Sequence, residues 1–565
     1  MTTTVAPQPL LLPKKPVRRD RRSWAIVVSL VVAWSVLKAG IDPSDVINER
    51  GWSQVQKFFA AMVRPDLSRT MLELTIRQAA VTVGYAVVGT ALAVIIGLIG
   101  GLLLTERVWS PMHGPMAKGR AGWLAGRIAF ALPRSMHEVV FGIILVNILG
   151  LNPLVAILAI GIPFGAVTAK VFAELIDEAP RDAELILRAA GAGRLTAVLF
   201  ATVPTVLSDL VSYAFYRFEC SLRSAAVLGI VGAGGLGFQL ALSFQSLRYN
   251  EMWTLLWALV ILSGIADRWS SLVRRRRNPA AIEMHAAIEA PAAIHRGVQS
   301  KPERDGFLRA SAIIYTLAVP VAIWRLDLDF STLWAPRARS LAAELGRDAW
   351  PPQIGVGGFG GLVDDSLDTI ALAVLAIALA WLVASPIAFL ARRPSSKVGG
   401  LRAVIRRLAS ALVRFVLLVS RSVPPPVWAF IVVFVLFPGL WPGVVALAIY
   451  NVGVLGRLQA DVVENGDQRP TEVLAAMGAS APGALTVATI PAVAGRFTAL
   501  GLYRWEVAIR ETVIVGVVGA AGLGRRLDEQ TSSFDYDGIL ATILALFVVT
   551  IAVDVASASI RRSIR

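Results

Sequence analysis

The residues of this sequence that could do chemistry are arginines set in apolar surroundings, and they come in two sets of the same spacing. Tyr216, Arg217, Glu219 and Arg223 return as Tyr503, Arg504, Glu506 and Arg510, and Arg134-Ser135 returns as Arg421-Ser422. A guanidinium is a planar fork of donors that matches the oxygens of a phosphate-like anion. Two such sets could line an anion path. On a helix, Tyr216, Glu219 and Arg223 fall at i, i+3 and i+7 on one face, and Glu219 with Arg223, like Glu506 with Arg510, has ion-pair spacing. Those pairs could equally be structural, locking helices together. Arg217 and Arg504 point away from that face and show no obvious partner on their own. For them, contact with a substrate and bonding between helices stand side by side.

Other chemistries find no support. The single Cys220 permits no internal disulfide, and four His with one Cys leave no plausible metal cluster. No nucleophile–base pair repeats. Gly232-Ala233-Gly234-Gly235-Leu236-Gly237 satisfies the dinucleotide fingerprint letter for letter, but that motif needs a preceding strand. Here it ends an apolar run, and its copy at Gly519, Gly522 and Gly524 breaks the pattern. These glycines suit a gate or a re-entrant turn, or simply close helix packing. No Gly-Lys dipeptide occurs, hence no phosphate-binding loop of the ATPase kind.

The elements that must position these arginines are membrane spans. Of 565 residues 56% are hydrophobic and 17% charged, with a formal charge of +16. Soluble proteins carry about 25% charged residues. Apolar runs fall near 24–37, 78–104, 128–150, 152–175, 205–231 and 250–268, and again near 308–325, 367–391, 409–436, 438–457, 491–518 and 538–558. Most are about long enough to cross a hydrocarbon core of ~30 Å. The fold class expected is therefore all-α, a polytopic membrane protein of about twelve transmembrane helices in two parallel six-helix repeats. The first run, behind Lys14, Lys15, Arg18 and Arg19, has no small-residue cleavage site after it and reads as a span, not a signal peptide. Basic residues gather in loops on one side: Arg107, Lys118, Arg120 and Arg127, then Arg274–Arg277, then Arg392, Arg393, Lys397, Arg402, Arg406 and Arg407. The positive-inside rule makes that side cytoplasmic, with both termini on it and the segments 41–77 and 327–365 external.

One offset, 287 residues, aligns the halves without a gap, and about 18 of the 47 positions from 191 to 237 are identical to their counterparts. This is a fused duplication. It divides the chain into a first unit over 1–277, a cytoplasmic linker over 278–305 and a second unit over 306–565. An even number of spans per unit gives both the same orientation, with a pathway expected between them. If the fifth run starts near 205, Arg217 lies about 18 Å deep at 1.5 Å per residue. Charge at that depth faces a bundle interior or a wet cavity. Arg134 and Arg421 read as opening the third spans from the cytoplasmic side, either snorkelling to the interface or lining the path.

After the fourth span of each unit comes a polar stretch too long for a turn, about 177–204 and 464–491. Each reads as a short helix, a glycine-centred break at Gly191 or Gly478, a second helical piece, and Pro204 or Pro491 opening the next span. Such a loop can be gripped from outside the membrane, or can simply lie on its surface. The Glu-to-Gly spacing with a later Val/Ile-Pro resembles the coupling loop of ATP-binding-cassette importer permeases. More closely, RAAGAGRLTAVLFATVP (188–204) and YAFYRFECSLRSAAVLGIVGAGGLGFQL (213–240), with their repeat and the Arg-Ser motif, resemble the phosphonate-type permeases.

The resemblance implies a transport subunit with no enzymatic activity or cofactor of its own, in the cell membrane, moving phosphonate, phosphate or a related small oxyanion inward. It implies a homodimeric ATPase that binds ATP and Mg on the cytoplasmic side, engaging Glu184, Ala189, Gly191 and Pro204 and their counterparts Glu472, Ala476, Gly478 and Pro491. It also implies an extracytoplasmic substrate-binding protein and surrounding lipid; the basic excess is loop charge and argues for no nucleic-acid partner. Two departures exist. Glu184 sits one position early relative to Gly191, which puts equal docking of the halves in doubt. Family permeases are usually single six-span chains that dimerise, so the fused chain is the complete permease. An amino-acid importer of the same architecture remains a rival that gives less reason for unpaired arginines. A twelve-span secondary transporter remains another, but has no need of the repeated loop.

Overall fold

The computed structural model describes residues 18–40, 47–109, 120–277, 306–355, 357–393, 400–467, 469–516 and 519–564. The expected linker over 278–305 and the basic residues Lys14, Lys15, Lys118 and Lys397 lie outside these. The described chain is helical. In the first half it runs α1 (Arg18–Ala39), α2 (Trp52–Met62), α3 (Arg69–Leu104), α4 (Arg120–Ser135), α5 (Glu138–Leu149), α6 (Pro153–Glu178), α7 (Asp182–Ala189), α8 (Val203–Leu228), α9 (Gly235–Gln245) and α10 (Tyr249–Arg277). The second half repeats the order as α11 (Gly306–Arg325), α12 (Pro336–Asp348), α13 (Gly358–Ala391), α14 (Leu401–Ser422), α15 (Pro425–Val435), α16 (Leu440–Asn465), α17 (Arg469–Ala476), α18 (Ile490–Gly516), α19 (Leu523–Ser532) and α20 (Tyr536–Ile564).

Nine helical stretches among the described residues are long and apolar enough to cross a membrane, and Ser23–Ala39 of α1 is a shorter apolar helix. The third run of each half differs from expectation. It is not one straight span but a pair, α4 with α5 and α14 with α15, bent by 86° and 92°. The chemistry of the bend differs between copies. His137 caps α5 by accepting from the Val139 amide at 3.2 Å, whereas Pro424 caps α15 with Pro425 at its first position, where a proline costs no hydrogen bond. The third helices also start earlier than their apolar cores: α3 opens at an Ser68 cap, its hydroxyl accepting from the Met71 amide, nine residues before the run at 78.

The core of each half is a hairpin, α3 on α6 and α13 on α16, the most extensively packed helix pairs among the described residues. In the first half glycines make the approach possible. A Cβ on Gly165 would stand 2.7 Å from Ile96 Cβ, and one on Gly100 would stand 2.5 Å from Ala169 Cβ. Lipid tails are as apolar as leucine, so close backbone approach, not hydrophobic exclusion, holds such a pair.

The halves are interlaced. The first helix of each half packs on the other half's hairpin, α1 on α13 and α11 on α3. Lys38 at the end of α1 reaches Asp364 at 2.7 Å and Asp368 at 3.3 Å, and Tyr315 of α11 donates to the Val87 carbonyl at 3.1 Å. The short helix α2 packs on α15 and α12 on α5, while α4 meets α20 and α14 meets α10. Everything that meets the central axis is thereby supplied by both halves.

Gly165→Leu is expected to destabilise the chain by ~1–3 kcal/mol through overpacking, lowering the melting temperature in detergent. Gly360→Leu, where a Cβ meets nothing within 4 Å, is the matched control; equal melting of the two variants would remove the glycine contact from the account.

Candidate functional site

The two bends turn the last residues of α4 and α14 toward the axis, into a cavity of about 300 Å³ between the halves. Eight arginines and six carboxylates line it. Arg421 is 9% exposed and spans the divide, its Nη2 3.1 Å from Asp267 and its Nη1 3.4 Å from Glu219, both of the first half. Arg457 also binds Asp267, at 3.2 Å, and Asp461 at 3.0 Å. By the offset of 287, Asp267 corresponds to Asp554, and Arg134 lies 4.0 Å from Asp554. Arg510 donates to the Arg134 carbonyl at 3.0 Å. The interfacial, snorkelling position considered for Arg134 and Arg421 is thus replaced by one at the centre of the bundle, because the break carries them inward at the end of a helix. The C-terminal dipole there also favours a cation.

Of the residues proposed from sequence, Arg134, Tyr216, Arg217, Glu219, Arg223, Arg421, Ser422, Tyr503, Arg504 and Arg510 line this cavity. Ser135 and Glu506 do not. The Ser135 hydroxyl donates to the Leu132 carbonyl at 2.7 Å, and Glu506 turns to Arg561 at 2.6 Å. The Glu219–Arg223 pair forms, at 3.2 Å; the expected Glu506–Arg510 pair does not, since both residues find partners on other elements. Arg504 is not without a counter-charge: its Nη2 donates to Glu511 at 2.8 Å and its Nε to Asn451 Oδ1 at 2.7 Å. Arg217 has no carboxylate within ion-pair distance among the described residues. Its Nε and Nη2 donate to the Tyr213 hydroxyl at 2.9 and 2.6 Å, and it lies over Phe164, 4.9 Å from the ring centre. Ser422, 3% exposed, has a hydroxyl without a hydrogen-bond partner among the described residues.

Sequence reasoning missed Asp267, Asp554, Asn451, Glu511 and Tyr213. Signals existed: Glu511 follows Arg504 by seven residues and Tyr213 precedes Arg217 by four, both same-face spacings, and Asp267 and Asp554 repeat at the offset. At one end the cavity reaches Glu464, Asn465 and Arg496, beside the second polar loop. At the other it stops at Val227 and Ile514, which share an apolar cluster built from both halves.

The glycine runs lie beyond that plug. Gly232 and Gly235 have φ of +107° and +73°, Gly519 and Gly522 both +95°, a region open to glycine. A Cβ on Gly237 would overlap the Ala226 carbonyl, and one on Gly524 would stand 2.8 Å from Val513 Cα. The turns are pinned to the hairpins by matched bonds, the Leu236 amide to Thr82 Oγ1 and the Leu523 amide to Thr369 Oγ1, each 2.9 Å. The glycines therefore permit close backbone return from α8 into α9 and from α18 into α19.

The polar loops share a frame and differ in detail. Gly191 (φ +93°) and Gly478 (φ +89°) end α7 and α17, and in each the next amide reaches back five residues, Ala192 to the Leu187 carbonyl and Ala479 to the Leu474 carbonyl, both 3.0 Å. One π-helical turn, Val198–Thr202 or Leu485–Thr489, precedes Pro204 or Pro491, since proline withholds an amide from the helical ladder. Ala189 and Ala476 are exposed. The glutamates part company. Glu184 is 4% exposed and takes Arg107 Nη1 at 2.9 Å, Thr202 Oγ1 at 3.3 Å and Arg188 Nη1 at 3.4 Å. Its counterpart is Thr471, whose hydroxyl meets that of Thr489 at 3.1 Å, while Glu472 is exposed.

The family model described as "binding-protein-dependent transport system inner membrane component" matches twice, over residues 114–277 and 395–565. Among curated proteins, the phosphate-import permease protein PhnE of Mycolicibacterium smegmatis is 28% identical over 486 residues, 85% of this chain and 84% of that protein. The phosphite transport system permease protein PtxC of Stutzerimonas stutzeri is 31% identical over 251 residues, 44% of this chain and 85% of that one.

Removing one member of a buried ion pair leaves the other uncompensated, at ~3–5 kcal/mol. Arg107→Ala is therefore expected to loosen α7, seen as faster amide exchange over 182–189 with 469–476 unaffected. Unchanged protection of α7 would show that Glu184 does not hold it.

Proposed function

The chain belongs to the binding-protein-dependent transport system inner membrane components, one copy in each half, and from that premise we propose that it is the complete permease of an ATP-driven importer for phosphate, phosphonate or phosphite. The observation that carries the reading is the cavity itself, on the axis between two fused units, where eight arginines outnumber six carboxylates. Guanidinium forks in a confined, partly dry space favour a tetrahedral oxyanion over a neutral or zwitterionic solute. The relatives' names point to the same solutes. An amino-acid cargo, a zwitterion, gives less reason for Arg217, which has no carboxylate partner among the described residues.

In this reading the basic loops lie in the cytoplasm with both termini, and the glycine turns face outward. An extracytoplasmic binding protein delivers the anion to that outer face. The conformation described is then open inward, its cavity reaching the loop side and closed outward by Val227 and Ile514. A homodimeric ATPase, which holds ATP and Mg, grips α7 and α17. Closure of that dimer would move the two loops and rock the halves, breaking the outer plug and offering the arginines to substrate. The units 1–277 and 306–565 act as the two halves of the rocker, tied together by their exchanged first helices.

Two measurements test this. In vesicles containing the permease, its ATPase and its binding protein, ATP hydrolysis should rise when phosphate, phosphite or a phosphonate is supplied; stimulation by an amino acid and by none of these would overturn the substrate class. Glu472→Ala with Gly478→Ala should abolish uptake and weaken co-purification of the ATPase, and a complex with undiminished yield and uptake would sink the docking role.

A further inference from the structure

We propose that the cavity holds a single oxyanion site, placed off the axis in the first half at Arg217, and that the matching position in the second half has been closed by an internal counter-charge. The inference rests on the importer reading and adds where in the cavity the anion sits.

The offset of 287 makes Arg217 and Arg504 equivalent, so their surroundings can be compared position by position. Where Arg504 has Asn451, Arg217 has Phe164; where Arg504 has Glu511, the first half has Ser224; where the second half has Leu500, the first has Tyr213. The consequences for charge are opposite. Arg504 is 7% exposed and tied to Glu511 and Asn451, and Asn451 Nδ2 lies 3.3 Å from Glu511 Oε2, closing the network on itself. An anion at Arg504 would have to compete with the buried carboxylate that already balances its charge. Arg217 keeps its charge. Tyr213 fixes one edge of the guanidinium with a neutral oxygen, the rings of Phe164, Tyr213 and Tyr216 stand 4.9 to 5.9 Å from it, and Nη1 donates to nothing among the described residues.

Aromatic faces hold a guanidinium without neutralising it, which leaves an oriented donor edge on the cavity wall. Ser224, which replaces the glutamate, is bonded to Glu138 and puts no carboxylate against Arg217. The site therefore matches a small oxyanion by one fixed cation with hydroxyls nearby.

The chain carries its own reporter. Cys220, its single cysteine, lines the same cavity one helical turn from Arg217. In the solubilised permease, phosphate should slow modification of Cys220 by a negatively charged methanethiosulfonate at least fivefold, and Arg217→Gln should abolish that protection while Arg217→Lys retains part of it. In the reconstituted complex, phosphate uptake should fall at least tenfold further in Arg217→Gln than in Arg504→Gln with Glu511→Gln, which removes the second-half pair as a neutral unit. Wild-type vesicles that accumulate none of phosphate, phosphite and methylphosphonate, with Cys220 unprotected by any of them, would remove the importer reading and the site together. Wild-type uptake that survives Arg217→Gln with protection intact, or that falls equally in both variants, would leave the importer reading standing and overturn the off-axis site alone.

Discussion

Two of the guanidiniums carried into the bundle, those of Arg134 and Arg421, take their counter-charge from the other half of the chain. Arg421 is held by Asp267 and Glu219, and Arg134 by Asp554. These links cross the axis, so the cavity exists only when both halves are assembled around it. Much else follows from satisfying them. The helices that carry Arg134 and Arg421 end at the cavity, where the third run of each half bends by about a right angle. The helices that carry the carboxylates must come from the neighbouring unit, which is why α4 meets α20 and α14 meets α10.

The bend was the part of the fold that composition could not supply. Hydropathy measures how long an apolar run is, not whether it keeps one direction, and 128–150 and 409–436 pass any length test. The prolines near each break, Pro133 in one copy and Pro424 with Pro425 in the other, were the available sign. Proline alone is a poor guide, because Pro163, Pro320 and Pro386 sit inside helices that continue. What distinguishes the bends is a proline beside an arginine that has a charged partner to reach.

The repeat was legible at once, and with it the equivalence of positions, because glycines, prolines and intramembrane charges are the residues least replaceable in this setting. Partners were harder. Sequence spacing within one helix suggested Glu219 with Arg223, which holds, and Glu506 with Arg510, which does not, since Arg561 offers Glu506 a closer cation. Pairing across elements 50 to 300 residues apart, such as Arg504 with Asn451 or Arg421 with Glu219, leaves no local trace. The docking loops show the same limit: the one-position shift between Glu184 and Glu472 could be read off, but its meaning depended on Arg107, 77 residues away, whose guanidinium buries one glutamate and leaves the other in solvent.

These differences between copies bear on why the two units share a chain. In a symmetric dimer of one six-span unit, each replacement appears twice, so a carboxylate that closes one anion position closes both. Fusion removes that constraint. Glu511 and Asn451 could then settle beside Arg504 while Ser224 and Phe164 kept Arg217 charged, and Thr471 could face Thr489 while Glu184 took Arg107. Two neutralised arginines would give a stable bundle with no hold on an anion. Two charged ones would place like charges across a narrow cavity, where a screening-poor medium makes their repulsion strong. One of each keeps the bundle stable and leaves Arg217 without a carboxylate partner among the described residues, an arrangement that two inequivalent halves can encode and a symmetric dimer cannot.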